Sequence, residues 1–194
     1  SYAVALGKCT MVGDQGGPFS YPGDYFSAEA PEKYKIKGSF GHPVPVVDGK
    51  TQSSGAKASA IVLKKEFTDV KDLLCIDYTS AYSTPSLDKL VRTFVYDRQG
   101  KGSFTVGDEF TANAPIRFET AITTQANWKI IDDTHLLLTT GTEQMTVTIE
   151  ASGKVAFTSE TIEVNSPAYT RIGISLKEQS KDGYIRLTMR TKQL

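Results

Sequence analysis

The sequence predicts an all-β protein, an antiparallel β-sandwich of many short strands with little helix. Three observations lead to this prediction: apolar and polar residues alternate along several segments, turn-forming residues separate those segments, and helical spacing is scarce. The chain has 194 residues, enough for one sandwich, so we predict a single domain over residues 1–194. Hydrophobic residues make up 39% of the chain and charged residues 23%, which is typical of a folded protein.

The alternation is clearest in the second half of the chain. In residues 116–122, Ile116, Phe118, Thr120 and Ile122 share one face. The same period of two runs through residues 145–149, 172–176 and 185–189. Each of these segments therefore predicts a strand with one face in the core and the other in water.

Turn signals lie between the predicted strands. Gly and Asp cluster at residues 97–102, 132–133, 152–154 and 181–183, where the chain is expected to reverse. Helical spacing is limited to residues 27–34, 67–74 and 86–90, each long enough for a turn or two. The longest irregular stretch, residues 13–31, has a length that usually indicates a function or an anchored loop.

Charge and cysteine content restrict the partners. The 22 basic and 22 acidic residues balance without a basic stripe, so we predict no nucleic-acid partner. No apolar segment approaches the ~18–20 residues of a membrane helix, so we predict no membrane partner.

Cys9 and Cys75 could form one disulfide, although we favour two buried free thiols. The first six residues already resemble a strand, so we expect a longer chain on the N-terminal side.

Standard catalytic motifs are absent from the sequence, which contains no G-x-S-x-G, C-x-x-C, Walker or H-E-x-x-H pattern. We therefore assign no catalytic residue. Of the two histidines, His135 is predicted to be an ordinary residue at a strand edge. His42 lies between Gly41 and Pro43, where prolines exclude regular strand pairing, so a ligand role and a structural role are both open.

Several segments, in order, carry a resemblance to a known family. Residues 39–55 have the form S-x-G-H-x-x-P-x-V-x-G-x-x-Q-x-x-G, and residues 14–17 the form D-x-G-G. Residues 77–82 read D-Y-T-S-A-Y and residues 92–94 read R-T-F. Together they resemble the β-sandwich of heparinase II/III-like polysaccharide lyases over residues 1 to about 138.

The resemblance implies a partial zinc site. The family's zinc ion is held by two histidines and one aspartate; Asp14 matches the aspartate and His42 the second histidine. The segment that supplies the first histidine precedes the strand that begins here at Ser1, so the site would be incomplete and zinc binding weak. Asp14 as a simple turn residue remains the alternative. Tyr25 and Tyr34, between the two predicted ligands, are candidates for substrate contact or for packing of the loop.

The resemblance also implies a function. Such lyases cleave acidic polysaccharides next to a uronic acid by β-elimination, with heparin, heparan sulfate and alginate as examples. Their catalytic groups come mostly from an N-terminal helical domain, so this chain alone is expected to be inactive. The family implies a periplasmic or secreted location, and the sequence leaves a homodimer open. Two alternatives stay in view: a carbohydrate-binding sandwich, for which a single Trp is sparse, and a purely structural domain.

Overall fold

A computed structural model describes residues 1–163 and 167–192, and the predicted domain of residues 1–194 includes a few residues outside these ranges. Strands dominate the described part, which confirms the all-β prediction. The strands are β1 Val4–Leu6, β2 Cys9–Val12, β3 Val46–Val47, β4 Ile61–Phe67, β5 Lys71–Asp77, β6 Leu87–Asp97, β7 Ser103–Ile116, β8 Phe118–Thr124, β9 Asn127–Asp132, β10 His135–Thr140, β11 Glu143–Ala151, β12 Val155–Ile162, β13 Tyr169–Leu176 and β14 Ser180–Thr191. In the same described part, helical structure is confined to α1 Ala30–Lys33 and the 3₁₀ turns Ser39–Gly41 and Thr79–Ala81.

Two antiparallel sheets form the sandwich. The larger has eight strands in the order β4-β5-β6-β7-β14-β11-β10-β9, and the smaller has four in the order β12-β13-β8-β3. The short hairpin β1-β2 forms a separate two-stranded sheet, and Met11 and Val12 of β2 pack into the main core. The predicted single strand over residues 116–122 is in fact divided: β7 ends at Ile116 in the larger sheet, and β8 begins at Phe118 in the smaller one. Arg117 is the corner where the chain changes sheets.

The core lies between the facing sides of the two sheets. Ile172 and Ile174 of β13 and Leu187 of β14 are fully buried, as their alternation with polar residues predicts. Phe110 of β7 and Phe118 of β8 stack with their ring centroids 4.6 Å apart, which joins the sheets near the corner. Burial of apolar surface on this scale, at about 25 cal/mol per Å², is the main stabilising contribution.

The β4-β5 hairpin extends beyond the smaller sheet. Ile61, Val62, Leu63 and Phe67 of β4 are all exposed, so this strand lacks the buried face on which period-two reasoning depends. The predicted helical turns at residues 67–74 and 86–90 are wrong, because the first belongs to this hairpin and most of the second to β6. The predicted turn at residues 27–34 is confirmed by α1.

The outer face of the smaller sheet is covered by the segment of residues 22–42. Tyr25 and Ile36 of this segment pack against Ile162 of β12 and Tyr169 of β13, which forms a second small hydrophobic cluster. This packing brings the long irregular loop and the residues around His42 against the sandwich. The candidate site lies at this junction.

Two further predictions concern the pairing of the cysteines and the presence of a membrane helix. Cys9 and Cys75 are both free, as predicted, but each is half-buried where full burial was expected. Over residues 1–163 and 167–192, no helix is long and apolar enough to cross a membrane.

Candidate functional site

Asp14 and His42 are in direct contact, although 28 positions separate them in the sequence. The Oδ1 atom of Asp14 lies 2.5 Å from the Nδ1 atom of His42, and both side chains are partly exposed. Nδ1 is therefore the ring nitrogen of His42 that faces the Asp14 carboxylate and could share a ligand with it. The structure therefore brings together the two residues that the sequence singled out.

The chain leading to Asp14 is tied to β8. The backbone N–H of Gly13 donates to the carbonyl of Thr123 over 2.9 Å, and the Thr123 hydroxyl donates back to the carbonyl of Gly13. Next to it, the Thr124 hydroxyl donates to the carbonyl of Met11 over 2.6 Å. These bonds hold the end of β2 against β8. Asp14 therefore follows a fixed piece of backbone, although it lies at the start of the long loop.

The chain around His42 is held differently, by side chains. The Tyr169 hydroxyl donates to the carbonyl of Gly41 over 2.8 Å, and Nη1 of Arg92 donates to the carbonyl of Pro43 over 2.8 Å. The Tyr82 hydroxyl donates to the carbonyl of Pro45 over 2.7 Å. His42 lies within this extended stretch, immediately after the 3₁₀ turn Ser39–Gly41.

Arg92 belongs to a buried ionic network between the sheets. Its Nε and Nη2 atoms donate to the two carboxylate oxygens of Asp108 over 2.7 and 2.8 Å. The hydroxyl of Tyr78 donates to one oxygen of Asp108 over 2.6 Å and that of Thr120 to the other over 2.7 Å. Both charges are almost fully buried, and these bonds compensate them, as a charge pair away from water requires.

The protonation of Asp14 follows from its neighbours. Burial opposes its charge, but hydrogen bonds, among them the one from His42, outweigh burial, so the pKa of this carboxyl lies below its usual value. Burial and, less strongly, the charge of Asp14 raise the pKa of Tyr169 to about 12. At neutral pH, Asp14 is therefore an ionised acceptor, and Tyr169 keeps its proton to donate to Gly41.

The two tyrosines predicted to contact substrate lie beside one another, with ring centroids 5.5 Å apart. Tyr25 is only 6% exposed, because it packs into the cluster over the smaller sheet. Tyr34 is half-buried, and its hydroxyl donates to Asp24 over 2.5 Å. Their role in substrate contact stays a prediction. The same loop also carries three aromatic side chains that are more exposed: Phe19 is 83% exposed, Tyr21 59% and Phe26 73%.

Sequence reasoning missed the ionic network and the hydroxyl donors behind His42. A signal for the network was present, because Arg92 falls in the same phase as Leu90 and Phe94, and Asp108 in the same phase as Val106 and Phe110. A charge at a core position of an alternating strand indicates a buried partner. The tyrosine donors gave no such signal, since tyrosine is common in any sandwich.

Asp14 and His42 fit part of a zinc site. A carboxylate oxygen and an imidazole nitrogen are both common zinc ligands, and at 2.5 Å they are close enough to share one ion. Ligands of a tetrahedral zinc with bonds of about 2.0 Å lie about 3.3 Å apart, so the two side chains would separate slightly around the ion. Within the described ranges, no three His, Cys, Asp or Glu side chains come together, so a closed site needs ligands beyond this pair.

Neither the models of known protein families nor the sequences of curated proteins match this chain. Solved structures do match. A heparinase III with methylated lysines superposes with a TM-score of 0.74 at 13% identity over 99% of this chain, and a second heparinase III with 0.71 at 15% over 96%. Heparan sulfate lyase HepC from Pedobacter heparinus gives 0.67 at 14% over 93%.

This chain has a heparinase III-like β-sandwich fold. The resemblance seen in the sequence is therefore confirmed at the level of the fold. The heparinase III-like sandwich spans only 29%, 28% and 28% of the three solved chains, respectively. In those chains, more than two thirds of the polypeptide lies outside the region that this sandwich matches.

Proposed function

We propose that this chain is the non-catalytic β-sandwich part of a polysaccharide lyase that cleaves uronic-acid-containing glycans of the heparin, heparan sulfate or alginate type. The observation that carries the proposal is the direct contact of Asp14 with His42 inside a heparinase III-like fold. In this proposal the sandwich forms one wall of the substrate cleft, and the two side chains hold part of a zinc site.

The reaction proposed for the longer protein is a β-elimination. The uronate carboxylate is neutralised, the proton at C5 is removed, and the 4-linked sugar leaves, which produces an unsaturated end. We assign the acid and base to a helical domain of the longer protein and none to this chain. When bound, zinc would supply a fixed positive charge near the cleft. The ionised Asp14 and the oriented imidazole of His42 are the groups that this chain offers to hold it.

The proposed partners follow from the same resemblance. They are an acidic polysaccharide and the helical catalytic domain, and the small share of the solved heparinase III chains that this sandwich matches supports the second. A periplasmic or secreted location and a homodimer are further proposals, which cell fractionation and light scattering test directly.

Activity measurements test the assignment of the catalytic groups. The purified chain is expected to produce no unsaturated uronate from heparin, heparan sulfate or alginate, because it contributes no acid or base. The ultraviolet absorbance of the unsaturated product is the readout, and a heparinase III of known activity is the positive control. Sustained product formation by this chain alone would show that it is a complete enzyme.

Metal titration tests the zinc ligands. Asp14→Asn and His42→Gln are each expected to weaken Zn²⁺ or Co²⁺ binding about tenfold or more, since each removes one of two ligands. The chain offers a matched control, because Asp132 and His135 form a second Asp–His contact of 2.9 Å on an exposed turn. Asp132→Asn and His135→Gln should leave the affinity unchanged. Equal effects at both pairs would contradict a specific site.

Exposed rings of the loop favour the second candidate function, a carbohydrate-binding sandwich. Sugar rings stack on exposed aromatic faces, and Phe26 presents one beside Tyr25. Phe26→Ala should reduce retardation of the chain in gels that contain acidic glycans, whereas Phe67→Ala, with a similarly exposed ring on β4, should not. Retention by acidic glycans alone supports the lyase proposal, and equal retention by neutral glycans favours the carbohydrate-binding alternative.

A further inference from the structure

The segment that carries His42 has no regular strand partner. It runs from Gly41 to Pro45, between the 3₁₀ turn Ser39–Gly41 and the start of β3 at Val46. Two of its residues are prolines, which have no N–H to donate to a ladder. A stretch of this kind, if left to itself, would sample several conformations, and the imidazole of His42 would move with it.

Three buried side chains hold this segment by alternate carbonyls. Tyr169 donates to residue 41, Arg92 to residue 43 and Tyr82 to residue 45, over 2.8, 2.8 and 2.7 Å. The donors come from β13, from β6 and from the residue after the 3₁₀ turn Thr79–Ala81. His42 itself has an extended backbone, and its own carbonyl accepts the N–H of Val44 over 2.8 Å, which leaves the carbonyls of residues 41, 43 and 45 to the three side chains. The three donors therefore replace the missing strand partner.

The donors are themselves fixed before they reach the segment. The two bonds of Arg92 to Asp108 leave its Nη1 atom directed at the carbonyl of residue 43. Tyr169 is packed in the second hydrophobic cluster, and Tyr82 lies in the main core. Each donor thus fixes the backbone on one side of His42 relative to the sandwich.

We propose that Tyr82, Arg92 and Tyr169 are positioning residues that set the His42 imidazole against Asp14. Among the described residues none of the three is hydrogen-bonded to the Asp14 or His42 side chain; they act through the carbonyls of residues 41, 43 and 45. Their effect on metal binding rests on the proposed function, whereas their effect on the His42–Asp14 contact does not.

Tyrosine variants with a matched control test this proposal. Tyr82→Phe and Tyr169→Phe each delete one hydroxyl that donates to the segment and keep the ring. Tyr2→Phe deletes a hydroxyl that is also buried and also donates to a carbonyl, that of Ala121, and it keeps the ring that lies beside Arg92. A merely structural role predicts the same consequences for all three variants.

The readout is the pair of imidazole nitrogen resonances at one fixed pH. The chain has only two histidines, so the signals of His42 can be assigned, and His135 serves as an internal reference. Tyr82→Phe and Tyr169→Phe should shift the Nδ1 resonance of His42 away from its hydrogen-bonded value, and Tyr2→Phe should leave it in place. Unchanged His42 signals in both segment variants, or an equal shift in Tyr2→Phe, would overturn the proposal.

A Co²⁺ titration of the same variants separates this proposal from the zinc assignment. Tyr82→Phe and Tyr169→Phe should lower the affinity about tenfold, as the loss of groups that orient a ligand does elsewhere. If Asp14→Asn and His42→Gln leave Co²⁺ binding unchanged, the zinc assignment fails. The resonance shifts of His42 still decide whether the three donors position its ring.

Discussion

Replacing Asp108 with leucine is expected to lower the free energy of unfolding by about 3–5 kcal/mol, the usual cost of leaving one charge of a buried pair without its partner. Arg92 is 2% exposed and has no other carboxylate among its hydrogen-bond partners. The substitution also removes the acceptor of the Tyr78 and Thr120 hydroxyls. Chemical denaturation of the purified variant measures the loss.

Two further variants show whether charge burial is the cause. Adding Arg92→Met to Asp108→Leu should recover part of the stability, because the uncompensated charge is gone although the Tyr78 and Thr120 hydroxyls still lack their acceptor. The exposed pair of Arg186 with Glu150 is the control, and Glu150→Gln should cost less than about 1 kcal/mol. An Asp108→Leu variant as stable as the parent chain would show that Arg92 is not desolvated. In the double variant the His42 segment should be less ordered than in the parent chain, because the methionine at position 92 cannot donate to the carbonyl of Pro43.

The second large effect is expected at Gly41. A Cβ atom at this position would lie 2.2 Å from the carbonyl oxygen of Lys35 and 2.8 Å from the Tyr169 hydroxyl. The first neighbour is backbone, so it cannot rotate away, and the segment around His42 must shift instead. Gly41→Ala should therefore cost about 2–3 kcal/mol of stability, in the range of overpacked sites, and should also weaken metal binding.

The control for Gly41→Ala is Gly23→Ala, in the same irregular part of the chain. A Cβ atom at Gly23 meets nothing within 4 Å, so this change should alter stability by no more than about 0.5 kcal/mol. Denaturation curves give the stabilities, and Co²⁺ titration gives the metal affinities. If both glycine variants behave alike, close packing at Gly41 does not hold the segment.

The sequence predicted the fold best where one strand face is buried and the other is wet. The alternation of Met145, Val147 and Ile149 with partly exposed threonines is a direct consequence of that environment, and β11 confirms it. In β13 the second face is buried as well, because residues 22–42 cover the smaller sheet. The β4-β5 hairpin was not predicted because β4 is exposed on both faces, so no alternation was required. The sequence did not predict the break at Arg117, because Ile116 and Phe118 continue the same alternation of apolar and polar residues although they belong to different sheets.

The candidate site was predictable only in part. The contact of Asp14 with His42 follows from the family resemblance, and no local pattern relates residues so far apart. Arg92 and Asp108 could have been found, because each is a charge in the buried phase of a strand. For Tyr25 the sequence left substrate contact and packing of the loop both open. Its burial depends on how residues 22–42 fold back on the smaller sheet, which no short segment determines.

The bond between Tyr169 and Gly41 has a consequence for biosynthesis. It joins residues 128 positions apart, so the backbone next to His42 is completed only after β13 has been synthesised. Domains form contacts of such long range late, after loop closure has been overcome. A nascent chain that ends before β13 should therefore capture metal poorly. Loading would then coincide with the final assembly of the sandwich and not with the synthesis of Asp14 and His42.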